Sequence, residues 1–161
     1  MPRKRIRITR FDNCWAWVDT EYGSGLKKIQ EKYPNLTGKV HFPGMLQGDA
    51  KWGALHGAEL FVLPSHQENF GIAIVESMAC KTPVLITNKV NIWQEIENGK
   101  GGLVIDDTME GVLTALKQWV NLDTNKKEIM GKNAFDIFNS HFTAEATSKK
   151  FVKVLQQTLN A

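Results

Sequence analysis

The chain has 161 residues, 42% of them hydrophobic and 23% charged, with a formal net charge of +3. That is core enough for one domain and too little for two, and it is too apolar and too mixed in charge for disorder to prevail. No apolar run approaches the ~20 residues that span a bilayer, and no stretch of signal-peptide length follows the basic N-terminus. The basic excess is local. Arg3, Lys4, Arg5, Arg7 and Arg10 account for five of the 20 basic residues, leaving 15 against 17 acidic ones in the rest of the chain. Residues 1–13 therefore read as a basic tail or added edge strand rather than a nucleic-acid patch, and residues 14–161 as one domain. Cys14 and Cys80 have no CxxC partner and no clustered histidines beside them. They imply idle thiols in a reducing compartment, the cytoplasm, and neither a disulfide framework nor a metal site.

Along the chain, strand-like and helix-like segments alternate. Residues 15–18 read as a short strand and 19–25 as a loop holding Gly23 and Gly25. A helix over 26–33 ends at Pro34, and a strand over 39–42 stops at Pro43-Gly44. A helix is expected over 48–56 and a strand over 59–63. A polar loop over 66–70, a helix over 71–80 and a strand over 83–87 follow, then a short helix over 91–98 and a strand over 103–105. The remainder is helical. Val112, Leu116 and Trp119 recur at helical spacing within 108–122, Asn125 and Glu128 have capping-box spacing, and Thr143 can cap a last helix with an apolar stripe at Phe151, Val152 and Leu155. The runs LFVL and PVLIT are apolar enough for strands buried on both sides. The pattern predicts a doubly wound, Rossmann-like α/β domain, a parallel sheet with helices on both faces.

In such folds ligands bind beyond the carboxyl ends of the strands. The loops there are 19–25, 43–48, 64–70, 87–92 and 106–108, and the one over 64–70 is richest. It runs from Pro64 and Ser65 through His66, Glu68, Asn69 and Phe70 to Gly71 and the helix beyond. On that helix Glu76 shares a face with Ile72, Val75 and Ala79, where a carboxylate needs a partner such as the paired hydroxyls of a ribose. The N–H groups of Phe70, Gly71 and Ile72 open the helix and suit a diphosphate. A ligand with hydroxyls at both ends and phosphates between them is a sugar nucleotide. Taken singly, Glu68 is as readily a loop acid, Glu76 an exposed helix acid and His66 a satisfied loop histidine. Trp15, Trp17, Trp52 and Trp119 read as core residues and Cys80 as a small buried hydrophobe.

The run PSHQENFGIAIVESMACKTPVLIT resembles the donor-site segment of glycosyltransferase family 4, whose members have the two-domain GT-B fold. VHFPG at 40–44, ELFVLPS at 59–65, QEI at 94–96 and GGLVI at 101–105 extend the likeness over roughly residues 15–155. The resemblance implies half of a GT-B fold, a nucleotide diphosphate sugar as donor, retention at the transferred carbon, and no cofactor or metal. It implies Glu68 as the catalytic contact to the donor sugar, with Asn69, Phe70, Gly71 and Ile72 binding sugar and diphosphate and Glu76 holding the ribose. It places Met45 and Leu46 beside the base, and Ser65, His66 and Glu95 around the cleft. Two departures stand out. Lys81 occupies a position where the family usually has glycine or a small residue, and the family's Gly-Arg pair and downstream Lys have no counterpart here. The acceptor-binding N-terminal domain, through which any membrane contact would run, is also not part of the sequence. The expectation is a donor-binding domain inactive in isolation. A non-catalytic nucleotide- or partner-binding module and a sugar-nucleotide epimerase are the other readings.

Overall fold

The computed structural model describes residues 20–34 and 38–159. The basic segment, the boundary after residue 13 and the predicted strand over 15–18 lie outside them. In chain order the elements are α1 (Glu21–Glu31), α2 (Gly48–Gly57), β1 (Phe61–Leu63), α3 (Ile72–Ala79), β2 (Val84–Thr87), α4 (Trp93–Asn98), β3 (Gly102–Ile105), α5 (Met109–Asn121), α6 (Thr124–His141) and α7 (Ala144–Leu159). The three strands pair in the order β1-β2-β3, all parallel, with Phe61 opposite Val84 and Val84 opposite Gly102. Parallel neighbours need a crossover, supplied by α3 and then α4.

Every residue of β2 is buried, as its unbroken apolar run requires. Val84 and Ile86 point into the main core with Phe61, Ile74, Met78, Ile96 and Ala134. Leu85, of opposite pleat parity, is buried outside that cluster, as are Ala115 and Trp119 of α5. The sheet is therefore covered on both faces, as the alternation of elements predicts. Among the described residues no helix is long and apolar enough to cross a membrane.

Several local expectations are corrected. The predicted loop over 19–25 is the opening of α1: the Thr20 hydroxyl accepts from the Gly23 amide at 3.3 Å, and both glycines lie within the helix. The predicted strand over 39–42 reduces to a single bridge at Val40, with Lys39 in a turn. The N-cap of α6 is Asp123, not Asn125; its carboxylate accepts from the Lys126 amide at 2.8 Å, leaving Asn125 inside the helix. That amide holds the Asp123 carboxyl below its usual range. The cap's contribution is thus present above the ordinary aspartate range and fades as pH falls through the depressed value. Thr143 does cap α7, accepting from the Ala146 amide at 3.1 Å, but Phe151, Val152 and Leu155 are exposed rather than packed. Trp52 is 39% exposed, whereas Trp119 is core.

Lys81, in the turn between α3 and β2, has a φ of 59°. A side chain in that left-handed region costs about 1–2 kcal/mol, which glycine would avoid. Its ammonium lies 5.1 Å from the Phe135 ring centroid and recovers part of the strain. Lys81→Gly is expected to stabilise the domain by up to about 1 kcal/mol, the strain relieved less the added freedom of the unfolded chain. Urea unfolding measures it, and a lower midpoint would refute the strain argument.

Candidate functional site

Because the strands are parallel, their carboxyl ends at Leu63, Thr87 and Ile105 share one edge of the sheet. Hydrogen bonds tie the three loops that leave this edge. The Thr87 hydroxyl donates to the Ser65 carbonyl at 2.5 Å, and the Asn88 side-chain amide donates to Asp106 Oδ1 at 2.9 Å. The Glu68 amide donates to the Lys89 carbonyl at 3.3 Å, and its own carbonyl accepts from the Asn91 amide at 3.1 Å. The backbone of Glu68 is thus fixed from both sides by the loop after β2, forming a parallel bridge with Val90. That pairing gives Glu68 a defined direction although it stands in a loop.

Three residues on, the chain turns into α3 through Gly71, whose φ of 67° lies in the left-handed region. The Gly71 carbonyl accepts from the Ile74 amide at 2.8 Å, closing the first turn. The Gly71 amide, expected to be free for a ligand, instead donates to Glu68 Oε1 at 3.2 Å. The carboxylate therefore rests on the positive end of the helix. Gly71 is itself the N-cap and Glu68 stands three residues outside the helix, so N-cap spacing gave no signal for this contact.

The α3 face that carries Glu76 differs from the expected apolar stripe. Ile74, Val75, Ser77 and Met78 are the buried residues, while Ile72 is 68% exposed. Ile72, Ala73 and Glu76 form one wall of a cleft of about 580 Å³. Gly44, Met45, Leu46, Lys51, Ser65 and the segment from Glu68 through Gly71 line it as well. The structure thus brings Met45, Leu46, Ser65, Glu68, Asn69, Phe70, Gly71, Ile72 and Glu76 into one cavity. His66 and Glu95 are not in that lining. His66 is exposed and pairs through Nδ1 with Asp107 Oδ2 at 2.7 Å, and Glu95 lies on α4. A more open depression of about 630 Å³ between α1 and residues 40–43 contains none of the candidate residues.

Glu76 has a partner already on the protein: Lys51 Nζ donates to its Oε1 at 2.6 Å. Lys51 was not foreseen. Ion pairs between two helices have no fixed sequence spacing, and its 25-residue separation from Glu76 gave no signal. Phe70 packs edge-on against Phe142 with ring centroids 5.7 Å apart, linking the loop to the end of α6. Cys80, just past α3, is buried, and burial with the nearby Glu76 charge pushes its thiol pKa up. Among the described residues no group of three His, Cys, Asp or Glu side chains is placed to hold a metal ion. Chemically, the cleft offers the carboxylates of Glu68 and Glu76, the Lys51 ammonium and apolar side chains.

A family model described as glycosyl transferases group 1 matches residues 19–136. A probable sucrose-phosphate synthase of Thermosipho melanesiensis is 28% identical over 131 residues, 81% of this chain and 29% of that protein. The sulfoquinovosyl transferase SQD2 of Arabidopsis thaliana is 29% identical over 135 residues, 81% of this chain and 25% of its own length. The crystal structure of HepE from Anabaena in complex with UDP-glucose superposes with a TM-score of 0.71 at 21% identity, covering 86% of this chain and 38% of that one. The fold is accordingly that of a GT-B glycosyltransferase domain, and the chain spans well under half the length of these proteins.

Proposed function

The chain belongs to the group 1 glycosyl transferases, and on that premise we propose that it is the donor-binding half of a two-domain enzyme. That enzyme moves a hexose from a nucleotide diphosphate sugar to an acceptor hydroxyl, with retention at the transferred carbon. The observation that carries the reading is the single cleft joining Glu68 and Glu76 across the N-terminus of α3. The two carboxylates suit hydroxyls, and the helix start between them in sequence suits phosphates. That a structural neighbour is a complex with UDP-glucose supports the same class of ligand.

In this reading Glu76 accepts from the ribose hydroxyls, and the base lies against Met45 and Leu46. The diphosphate meets the amides opening α3, and Glu68 swings from Gly71 to the hydroxyls of the donor sugar near its reacting carbon. Asn69, Phe70 and Ile72 line the path between them, and Ser65, His66 and Glu95 complete the donor-binding set. In the transfer the bond from the sugar carbon to the diphosphate oxygen breaks, its electron pair leaving with the diphosphate. The acceptor oxygen bonds to that carbon and its proton passes to the departing group. The helix N-terminus stabilises the charge that develops there, and the fixed loops orient the donor. The acceptor enters from a second, N-terminal domain in the cytoplasm, so the 161-residue chain alone is expected to transfer no sugar; measurable transfer by it would overturn that part.

Calorimetric titration with UDP, GDP and their glucose conjugates tests the reading. At least one is expected to bind, with Glu76→Ala lowering its affinity at least about tenfold, the worth of one charge-assisted hydrogen bond. Binding by none of the four would overturn the donor-site assignment.

A further inference from the structure

We propose that Lys51 is the positioning residue for the carboxylate that receives the ribose: by holding one oxygen of Glu76 it presents the other to the two ribose hydroxyls. The inference rests on the donor-site reading above and adds to it a residue that no motif marks. Lys51 Nζ sits 2.6 Å from Glu76 Oε1 and 4.6 Å from the centroid of the Trp52 ring. The ammonium is thus confined between a carboxylate and an aromatic face, both of which attract a cation. The side chains of the pair keep 30% and 23% of their exposure. They form part of the cleft wall, shielded from most of the solvent yet within reach of a ligand.

The position of the ammonium is set by the backbone on which it stands. One helical turn beyond Lys51, Leu55 is 1% exposed in the core. The Leu55 carbonyl accepts from the buried Thr82 hydroxyl at 2.7 Å, which ties the end of α2 to the turn after α3. Two links therefore join α2 to the α3 region, one structural at Leu55 and one at the cleft through Lys51.

On the other side, Glu76 has no second anchor: among the described residues no hydrogen bond reaches its Oε2. A glutamate side chain loses up to about 2 kcal/mol of rotamer freedom when it is ordered. A carboxylate that must be ordered by the ligand binds it more weakly than one already held. With Oε1 fixed to Lys51, that ordering is complete before the nucleotide arrives. A direct contact of Lys51 with the diphosphate is the competing role, and the two roles differ in which ligand atoms they depend on.

Calorimetry with UDP and with 2′,3′-dideoxy-UDP separates them, using the full chain and its Lys51→Met, Lys51→Arg, Glu76→Gln and double Lys51→Met/Glu76→Gln variants. Lys51→Met is expected to weaken UDP about tenfold, the scale of one charge-assisted hydrogen bond, and to leave dideoxy-UDP unchanged. Lys51→Arg restores UDP binding, and Lys51→Met adds no loss in the Glu76→Gln background. Equal weakening of both ligands would show a phosphate contact and overturn the proposal, as would an unchanged UDP affinity. If UDP does not bind the unaltered protein, GDP and its dideoxy analogue take its place in the same scheme. An unaltered protein that binds neither nucleotide overturns the donor-site reading and this inference together; normal binding with an inert Lys51 overturns this one alone.

Discussion

Gly71→Val is expected to lower nucleotide affinity by at least about 100-fold while the domain stays folded, because it strikes the turn to which the proposed reading assigns the diphosphate. At a φ of 67° any side chain is strained by about 1–2 kcal/mol, and a β-branched one by more. The added Cβ would lie 2.5 Å from Ile74 Cδ1 and 3.3 Å from Glu68 Cγ. Ile74 is fully buried and has nowhere to retreat, so the first turn of α3 and the Glu68 side chain must shift instead. Both are parts of the cleft. Calorimetry with UDP and a thermal melt read the two consequences separately. A valine variant that binds within about threefold of the parent would show that the close approach at Gly71 is not needed for the ligand.

The second large effect falls on the fold. Gly102→Val is expected to cost more than about 4 kcal/mol, enough to leave no cooperative unfolding transition. Gly102 stands opposite Val84 in the parallel pair of β2 and β3. A Cβ there would be 2.2 Å from the Val84 carbonyl oxygen and 2.8 Å from Val84 Cγ2. The obstructing atom is backbone in the middle strand, which is completely buried and paired on both sides. Relief is available only by parting β2 from β3. Urea unfolding followed by circular dichroism measures the outcome, and a midpoint within about 1 kcal/mol of the parent would contradict it.

The parts legible in the sequence were those governed by one strong local term. PVLIT became the buried strand β2 because nothing but a two-sided core accepts such a run, and IAIVESMA became α3 between two loops. Where several weak terms compete, the outcome was set elsewhere. Gly23 and Gly25 each disfavour a helix by about 1 kcal/mol, yet the Thr20 cap and the turns that follow carry α1 through them. Asp123 and Asn125 are both good caps, and the earlier one starts α6. KVHF has the composition of a strand, but of its four residues only Val40 is bridged, while Lys39 lies in a turn and His41 and Phe42 join no strand among the described residues.

The site divides in the same way. Met45, Leu46, Ser65 and the segment from Glu68 to Ile72 meet in one cleft because a parallel sheet sends its loops to one edge, a topological rule that a sequence can announce. The Glu76 environment could not be foreseen from helical spacing alone. Its neighbour Ile72 borders the cleft rather than the core, and its charge is met by Lys51 from another helix. Contacts of that kind depend on how two helices are set against each other, which their separate sequences do not state.

The resting contact between Glu68 and the Gly71 amide bears on discrimination among anions. An inorganic phosphate or a bare polyphosphate that approaches this turn has to displace a carboxylate from the same N–H and leave it with no new donor. A ligand carrying hydroxyls beside its phosphates provides those donors as it displaces the carboxylate. On the donor-site reading proposed above, the free domain would thereby be screened against the simple anions that crowd any cell, and its first helical turn would open most readily to a molecule that is both phosphate and sugar.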